Sequence, residues 1–572
     1  MTNKEIAKNL FQIAEVLELK NSSDRFRIVA YEKAAQTVEN YPTELKDIYE
    51  KNGLKGLNDI PGVGASIAEK IAELLKTGRL KYLNEIQKDI PTNELEFLKI
   101  PGIGPKMAVK IAKGLKPKNI DDLEKKIKGG SADELFKEKT RKNILRGIDI
   151  SRKLTGRMLI TDALPIAEDF TARVKKIRGV KDASFVGSLR RMKETIGDID
   201  IVAASSEPKI LIDAFVKFPG VNQIITQGAA KSTIIHEAGC QIDLEIVPEA
   251  EFGSLLQHFT GSKEHNVALR TFAQTKNLSV SEHGIKVAGK LKTFQTEKEL
   301  YNFLGMDFIP PELREDRGEI QAALQHKLPK LLELSDIKGD LHVHSNWSDG
   351  QMTISEIARA GEKLNYEYVV ISDHTVGLGI AHGLDETRLE ERQKEIEITQ
   401  KAHSRIKILS SVEVNIKADG DLDIQDWMLE KLDVVTASIH TSFFQNKEIM
   451  TNRLLKAISH PHVDIIGHPS GRVIGRREPY DVDWTQVFEA CKKYKTALEI
   501  SSFPDRLDLK DTLCQEAKKY GIKFAINTDS HHLNHLSLMR FGVAVARRGW
   551  LEKENIINTL RTKELLNWLK SN

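Results

Sequence analysis

The chain has 572 residues, 40% of them hydrophobic and 29% charged, and its formal net charge at pH 7 is +3. This length allows several domains, and the nearly balanced charge means that an acidic partner must be met by local patches. No apolar run approaches the length needed to span a bilayer, so we expect a cytoplasmic protein without a membrane partner. The three cysteines form no CxxC pair, which argues against thiolate zinc sites and for a reducing compartment.

Residues 1 to about 150 are predicted to be helical, because apolar residues recur there at spacings of three and four. This region contains an internal repeat: LNDIPGVGASIAEKIAELL begins at Leu57, and LKIPGIGPKMAVKIAKGL begins at Leu98. Glycines let backbone amides approach a phosphate, and six lysines without an acidic residue lie between Phe97 and Ile120. The pattern predicts sequence-independent DNA binding, and its alternative is a pair of plain glycine-capped turns. The predicted DNA-binding residues are Gly62, Gly64, Gly102, Gly104 and Lys106.

Strands follow from about residue 155, and the strand in TIGDIDIVAA carries Asp198 and Asp200 on one face. A third aspartate, Asp243, lies in CQIDLEIV, opposite the apolar face of that strand. Neighbouring like charges repel, but three carboxylates can hold two divalent cations, magnesium or manganese, and activate a hydroxyl for attack on phosphorus. Gly187–Ser188 and Arg191, just upstream, are predicted to bind a triphosphate. The alternative is an exposed edge strand with ordinary surface acids.

At these residues the sequence resembles DNA polymerase family X, the nucleotidyltransferase group that includes DNA polymerase beta, over about residues 1 to 315. The segment GSLRRMKETIGDID matches the family's GS-to-DxD motif, so the resemblance implies that the three aspartates form its catalytic metal-binding triad. HFTGSKEHNVALR resembles the family's Tyr-Phe-Thr-Gly-Ser segment, although His258 stands where many members have tyrosine. The resemblance implies contacts with the incoming nucleotide and the template for Phe259, Gly261, Asn266 and Arg270.

The segments IVAYEKAAQTVENYP and IPGVGASIAEKIAELLKTGRL resemble the family's small N-terminal lyase domain. Lys70 then falls on the lysine that forms a Schiff base with the sugar aldehyde of a 5′-deoxyribose phosphate. Two neighbouring phosphate-contacting positions, lysine in the best-known members, are Arg27 and Ser66 here. The alternative for Lys70 is a solvated surface lysine without a catalytic role.

Histidine is concentrated in the C-terminal part: none of the 17 precedes His236, and 12 lie from His342 onward. After Ile337 seven apolar strands alternate with helical stretches, which predicts a parallel, barrel-like α/β domain. Six of these strands end in histidine, aspartate or glutamate, and the carboxyl ends of barrel strands meet at one mouth. We therefore expect a hydrolytic metal site whose imidazole and carboxylate ligands suit zinc, manganese or iron. The remaining strand ends near Glu499, which we assign no ligand role.

Residues 336 to 572 resemble the PHP (polymerase and histidinol phosphatase) family, which implies a distorted (β/α)7 barrel with up to three metal ions. The resemblance implies manganese-favoured 3′→5′ exonuclease activity, with abasic-site endonuclease and 3′-phosphatase activities as extensions of it. Among the matched positions, His440 is the residue whose change should abolish the nuclease. All nine ligand positions of the family have matches: His342, His344, Asp349, His374, Glu413, His440, His468, Asp529 and His531.

The predicted fold is multidomain: a helical helix-hairpin-helix region, an α+β nucleotidyltransferase palm with a thumb, and a C-terminal α/β PHP barrel. The predicted domains are a lyase-like domain at 1–85, a fingers-like domain at 86–150, the palm at 151–250, the thumb at 251–315, a linker at 316–335 and the PHP domain at 336–572.

The leading hypothesis is a DNA polymerase that fills short gaps in base excision repair and carries its own 3′-end nuclease. We expect it to act as a monomer on gapped or nicked duplex DNA with deoxynucleoside triphosphates. Two alternatives stay open from the residues alone. One is a DNA-binding scaffold whose barrel is only a metal-stabilised platform, and the other is a small-molecule enzyme whose PHP part acts on phosphorylated metabolites.

Overall fold

The protein is described from a computed structural model. The structure describes every residue except 2, 21–24, 40, 42, 43, 89–91, 99, 155, 378–380, 571 and 572, so Lys99 of the lysine-rich segment lies outside the described residues. The chain divides into two compact units. The first comprises Met1–Thr155, Arg472–Pro479 and His532–Asn534, and the second comprises the remaining residues. Within the described part of the chain, every helix is too short or too polar to cross a membrane.

The N-terminal part of the first unit is helical, as the apolar spacing predicts. Each helix buries the apolar stripe that its sequence places on one face, and these stripes share one core that runs from Ile6 to Ile148. The helices are α1 (Asn3–Leu19), α2 (Arg25–Glu39), α3 (Leu45–Asn58), α4 (Ala65–Thr77), α5 (Lys81–Gln87), α6 (Thr92–Phe97), α7 (Pro105–Leu115), α8 (Ile120–Lys128) and α9 (Glu138–Leu154).

The palm, at the start of the second unit, is built on a five-stranded sheet. Its elements are β1 (Met158–Leu159), α10 (Ile160–Lys175), β2 (Val180–Phe185), α11 (Gly187–Arg190), β3 (Thr195–Ile196), β4 (Ile199–Ser205), α12 (Pro208–Phe215), β5 (Val221–Gln227), β6 (Lys231–His236) and β7 (Gln241–Val247). The sheet order is β2-β4-β7-β6-β5, and β1 pairs separately with β3. Only the β4–β7 pair of this sheet is parallel, and its register sets Asp200 opposite Asp243.

The thumb has its own apolar core, which includes Leu269, Leu300 and Leu313. Its elements are α13 (Phe252–Thr260), α14 (Lys263–Thr275), β8 (Leu278–Ser281), β9 (Gly284–Val287), β10 (Lys290–Lys292), α15 (Glu297–Phe303) and α16 (Glu319–Leu324). Helix α16 lies within the segment that the sequence predicts as a linker, and its residues Ile320 and Ala323 are buried in the thumb core. The polar segment therefore packs as part of the thumb.

The C-terminal barrel confirms the predicted alternation of strands and helices. Its elements are β11 (Gly339–Val343), α17 (Ile354–Lys363), β12 (Tyr368–Ile371), α18 (Glu386–Ala402), β13 (Lys407–Asn415), α19 (Asp426–Leu429), β14 (Val434–Ser438), α20 (Lys447–Ile458), β15 (Ile465–Ile466), α21 (Trp484–Tyr494), β16 (Ala497–Ser501), α22 (Asp511–Lys518), β17 (Phe524–Asn527), α23 (Met539–Arg548) and α24 (Thr562–Lys570).

All seven barrel strands are parallel and follow one another in chain order, from β11 to β17. A parallel bridge between Val343 and Ser530 connects the end of the first strand to the segment after the last one, so the sheet nearly closes. The carboxyl ends of the strands consequently face one mouth, which is where the predicted ligands lie.

Candidate functional site

The three palm aspartates come together as the sequence predicts. Asp198 precedes β4, Asp200 lies in β4, and Asp243 lies directly opposite Asp200 on β7. One carboxylate oxygen from each lies within 4.8 Å of the others, which suits shared divalent cations. Burial and the charges of the other two aspartates raise the pKa of Asp200 to about 7. Without a cation, the register of the strands forces these carboxylates into a repulsive arrangement.

The loop before the aspartates approaches them closely through Gly187. This residue has a φ of +64°, and a Cβ built on it would lie 2.6 Å from Oδ2 of Asp200. Any other residue would therefore displace the carboxylate, in addition to the strain of the left-handed conformation. Ser188 is half-buried in the next position, at the same edge of the sheet. The sequence-predicted phosphate loop thus lies directly beside the triad.

Arg191 is held on two sides by the thumb. Its Nε donates to Oε1 of Glu315 at 3.0 Å, and its Nη1 donates to the carbonyl of Thr260. A Cβ on Gly261 would lie 3.1 Å from this Nη1, so the glycine leaves room for the guanidinium. Sequence reasoning missed Glu315, because it lies 124 residues from Arg191 in a segment without a recognisable motif.

The other residues that are predicted to contact the nucleotide lie around His258. Asn266 donates from Nδ2 to the carbonyl of His258 at 2.7 Å, and Arg270 lies 3.2 Å from the imidazole Nδ1. Phe259 is half-buried and packs against the apolar cluster that contains Val202 of β4. Burial lowers the pKa of His258, which favours a neutral ring at this position. The structure therefore brings the predicted segment together on α13 and α14, next to the palm.

The mouth of the barrel contains three groups of side chains whose ligand atoms lie within 4.8 Å of one another. The groups share two residues, so the three form one continuous cluster. They consist of His344, Asp349, His374 and His531; of His342, His344 and Asp529; and of His374, Glu413 and His440. The ninth predicted ligand, His468, is outside the groups found among the described residues, but its Nε2 lies 3.0 Å from Oε1 of Glu413.

The chemistry of the cluster fits metal ions. Buried ring nitrogens that make no hydrogen bond within the described part of the chain point to missing partners, since an unsatisfied buried polar atom costs about 1–3 kcal/mol. They include Nε2 of His342 and Nδ1 of His344, His440 and His468. Two residues of the site, His468 and Asp529, also have positive φ angles of 28° and 52°. Such strain in non-glycine residues concentrates at functional sites.

In the metal-free cluster the pKa values of His344 and Glu413 favour the forms that bind metals, whereas neighbouring carboxylates outweigh the effect of burial and raise the pKa of His342, His374 and His531. Burial, together with the charges of His531 and His374, lowers the pKa of His344 to about 4, so this imidazole is neutral at physiological pH. Burial alone would raise the pKa of Glu413, but the adjoining histidines hold it well below its usual value. Neutral imidazoles and ionised carboxylates are the ligand forms that divalent transition metals require.

A second layer of carboxylates orients these ligands, and the sequence did not assign it. Glu499 is fully buried; its Oε1 accepts from Nδ1 of His342 at 2.8 Å, and its Oε2 accepts from the backbone N–H of His468 at 2.6 Å. Nε2 of His342 is thereby turned toward the site. Asp373 accepts from the N–H of Ser345 and from Oγ of Ser348, both at 2.8 Å, within the loop between two ligands. Ligating and orienting carboxylates look alike in a sequence, so only their positions separate them.

The two glycine turns of the first unit have the same conformation. Gly62 and Gly102 have φ angles of 77° and 83°, and Gly64 and Gly104, which precede α4 and α7, both have a φ of −81°. A Cβ on Gly64, Gly102 or Gly104 would have no described atom within 4 Å, so these turns face open space. Lys106 is exposed in the first turn of α7. Open backbone amides next to a helix N-terminus and a lysine form a surface that phosphates can approach.

Lys70 lies on α4 between aromatic rings. Its Nζ is 4.9 Å from the centre of the Tyr82 ring and donates to Oγ of Ser66 at 2.9 Å. Tyr31 stacks on Tyr82 with 6.5 Å between ring centres, and Arg27 lies over the same ring. Burial lowers the pKa of Lys70, and the nearby positive charge of Arg27 acts in the same direction. A lowered pKa increases the neutral, nucleophilic fraction of an amine.

Family models match most of the chain. The model of the helix-hairpin-helix domain matches residues 1–80, and that of the SAM-like helix-hairpin-helix tandem matches residues 94–146. The DNA polymerase beta thumb matches residues 255–315, and the PHP domain matches residues 340–503. These matches agree with the helical region, the thumb and the barrel described above.

Curated relatives match the whole chain or its parts. DNA polymerase lambda of Rattus norvegicus is 26% identical over 55% of this chain and 56% of its own length. A probable phosphatase of Thermoanaerobacter sp. (strain X514) is 30% identical over 38% of this chain and 89% of its own length. The DNA polymerase/3′-5′ exonuclease PolX of Bacillus subtilis (strain 168) is 36% identical over 100% of both chains. The chain therefore belongs to the family X DNA polymerases that carry a C-terminal PHP domain, the group of the PolX enzymes.

Proposed function

We propose that this chain is a DNA polymerase that fills short gaps during base excision repair and trims 3′ ends with its PHP barrel. The observation that carries this proposal is the presence of two separate clusters of metal-ligand side chains in one chain, one of three carboxylates and one of mixed imidazoles and carboxylates. Membership of the PolX group supports the pairing of these two activities.

In the palm, Asp198, Asp200 and Asp243 would hold two divalent ions, and Asp243 would help to orient or activate the primer 3′-hydroxyl. Two magnesium or manganese ions, when bound, lower the pKa of that hydroxyl and neutralise charge on the phosphates. Gly187, Ser188 and Arg191 bind the triphosphate, because the loop approaches Asp200 closely at Gly187 and the charge of Arg191 acts on the same carboxylate. The residues proposed to contact the nucleotide and template are Phe259, Gly261, Asn266 and Arg270.

In the barrel, the nine predicted histidine and carboxylate ligands would hold up to three ions of manganese, zinc or iron. Bound ions supply a hydroxide and neutralise a phosphodiester. The buried ring nitrogens that make no hydrogen bond to a described residue, and the orienting carboxylate of Glu499, support this role. Abasic-site cleavage and 3′-phosphate removal use the same hydrolytic chemistry and belong to the proposal. Similarity to a probable phosphatase across most of that protein's length is consistent with phosphoester hydrolysis.

The substrate that fits these sites is a gapped or nicked duplex, which the two glycine turns contact through its phosphates. Lys106 adds a positive charge at the second turn. Binding by phosphate contacts is sequence-independent and weakens steeply with salt. We propose that the protein acts as a monomer in the cytoplasm, where deoxynucleoside triphosphates are its second substrate.

A second candidate function is 5′-deoxyribose phosphate lyase activity at Lys70. The observation that favours it is the lowered pKa of this lysine between Arg27 and two stacked tyrosines. In this reaction the amine attacks the sugar aldehyde, water leaves, and the Schiff base then allows elimination of the phosphate.

Changing one ligand of each cluster should separate the two activities. We expect Asp198→Ala to lower gap filling at least about 100-fold and His440→Ala to lower 3′-end trimming to a similar extent, because each removes charge stabilisation at one site only. A gapped duplex incubated with manganese, with and without nucleotides, reports extension and trimming together. His460→Ala, on the barrel surface beside Asp426, is the control. Unchanged extension by Asp198→Ala would contradict the polymerase site.

Asp200→Asn should stabilise the metal-free protein. Because the pKa of Asp200 is raised to about 7 from an ordinary value of 3.8, the native state binds a proton more tightly than the unfolded state. The free energy of unfolding therefore falls as the pH rises from about 4 to about 7, and the loss is complete above this range.

In chelator at pH 8 we expect the variant to melt at least about 4 °C higher than the unaltered protein, and the difference should shrink toward pH 4. Added magnesium should stabilise the unaltered protein but not the variant. Asp213→Asn, which changes a carboxylate on the palm surface, is the control. A difference in melting temperature that does not depend on pH would contradict the raised pKa.

Glu499→Gln should weaken metal binding without removing a ligand. The change disturbs the bond that turns His342 toward the site, and the loss of such an orienting carboxylate costs about 10–100-fold in metal affinity. The measurement is manganese and zinc content after dialysis against a graded chelator. Glu516→Gln, which changes an exposed carboxylate on α22, is the control. Equal metal retention by both variants would remove the orienting role of Glu499.

Lys70→Ala should abolish lyase activity while leaving gap filling intact. Borohydride reduction of the protein mixed with DNA that carries a 5′-deoxyribose phosphate traps the Schiff base covalently, and we expect no such product from the variant. Lys76→Ala, at the end of the same helix and 5.6 Å from the Tyr49 ring, is the matched control. If both variants are trapped as well as the unaltered protein, the lyase assignment is wrong.

A further inference from the structure

An arginine of the PHP domain reaches the polymerase site. Arg548, the last residue of α23, has only 4% of its side chain exposed. Its Nη1 donates to the main-chain carbonyl of Arg191 at 2.7 Å and to Oε1 of Glu315 at 3.0 Å. The same guanidinium therefore contacts the palm and the thumb, although its helix belongs to the barrel.

Glu315 is the centre of this arrangement, because three cations share its carboxylate. Arg191 and Arg548 both bind Oε1, each at 3.0 Å, and Nζ of Lys193 lies 3.5 Å from Oε2. Burial would raise the pKa of Glu315, but these three charges hold it below the ordinary value, so the carboxylate is ionised. Glu315 alone therefore offsets only part of the positive charge of these three side chains.

Arg548 is itself fixed from its other side. Its Nη2 donates to Oδ2 of Asp511 at 2.7 Å, and Arg317 donates to the same oxygen at 3.0 Å. Asp511 has 7% of its side chain exposed, so this pair is also shielded from water. A guanidinium held by carboxylates on two sides has a defined position, and its contact with the backbone of Arg191 is correspondingly rigid.

We propose that Arg548 is a positioning residue for the incoming nucleotide: it fixes the backbone of Arg191 and competes with it for Glu315. This inference rests on the proposed function, in which Arg191 binds the triphosphate. With Arg548 present, the negative charge of Glu315 is shared between Arg191 and Arg548, and the Arg191 guanidinium keeps its attraction for phosphate. Without Arg548, the carboxylate neutralises Arg191 more fully, and the loop that carries Arg191 loses a hydrogen bond.

The test compares Arg548→Gln with Arg547→Gln in the full chain. Arg547 is adjacent on α23 and also pairs with the thumb, through Oε1 of Glu312 at 2.8 Å, but it contacts neither Arg191 nor Glu315 among the contacts described. The measurements are KM for a deoxynucleoside triphosphate and kcat on a gapped duplex, manganese-dependent trimming of single-stranded DNA, and the melting temperature.

We expect Arg548→Gln to raise this KM about ten-fold, with kcat changed less than about three-fold, since uniform binding of the triphosphate is lost. Trimming by the same sample should be unchanged, and Arg547→Gln should leave KM within about two-fold of the unaltered protein. An unchanged KM in Arg548→Gln overturns the inference, as does an equal rise in both variants. If Arg548→Gln loses trimming and melts early, KM is measured instead for Arg548→Lys, which keeps the charge but not the paired hydrogen bonds. A raised KM with normal trimming then supports the inference, and an unchanged KM overturns it.

Arg191→Gln separates this inference from the proposed function. If Arg191→Gln leaves KM unchanged, the assignment of Arg191 to the triphosphate fails. If it raises KM and Arg548→Gln does not, only the positioning role fails. The double variant Arg191→Gln/Arg548→Gln should have a KM close to that of Arg191→Gln alone, whereas effects that multiply independently would contradict the proposed contact.

Discussion

Repulsion between carboxylates that the backbone cannot separate is the constraint on which the palm depends. The parallel register of β4 and β7 sets Asp200 beside Asp243, and Asp198 adds a third charge. Burial and these neighbours raise the pKa of Asp200 to about 7, and the opposing charges of Lys231 and Arg191 do not offset this rise. A divalent cation offsets the repulsion directly, so the strand pairing and the metal requirement are one physical feature.

The barrel also brings charged ligand side chains close together, but its ligands include imidazoles and are more deeply buried than those of the palm. Asp198 is exposed, whereas His342 and His344 are fully buried. An ion in the palm therefore keeps open positions for water and substrate phosphates, which suits magnesium. An ion in the barrel is surrounded by protein groups that include imidazoles, which suits transition metals. The difference in burial fits a polymerase site filled with each nucleotide and a nuclease site that retains its ions.

Much of the barrel fold and of its ligand set could be predicted from the sequence, because the pattern that indicates each ligand lies within a few residues of it. Six of the seven barrel strands are apolar runs that end in a predicted ligand, and the position of the ligand follows from the direction of the strand. Glu499 lies within the remaining strand, β16, and its carboxylate orients His342 through Nδ1, a distinction that depends on side-chain placement. Glu315 and Arg548 lie 124 and 357 residues from Arg191, and neither belongs to a pattern that predicts the contact. In α16 the fully buried Glu319 has partners that hydropathy cannot anticipate.

The arginines that precede the aspartates connect the two halves of the polymerase by charge. Arg190 makes two bonds with the carboxylate of Glu297 on α15, at 3.0 and 2.7 Å, and Arg191 pairs with Glu315. Removing one partner of such a buried pair leaves a charge without compensation, so each pair tolerates only one geometry of palm and thumb. Apolar packing would allow sliding at this boundary, whereas paired charges fix distance and angle. Through Arg548, the barrel adds a further charged contact to Glu315 at this boundary.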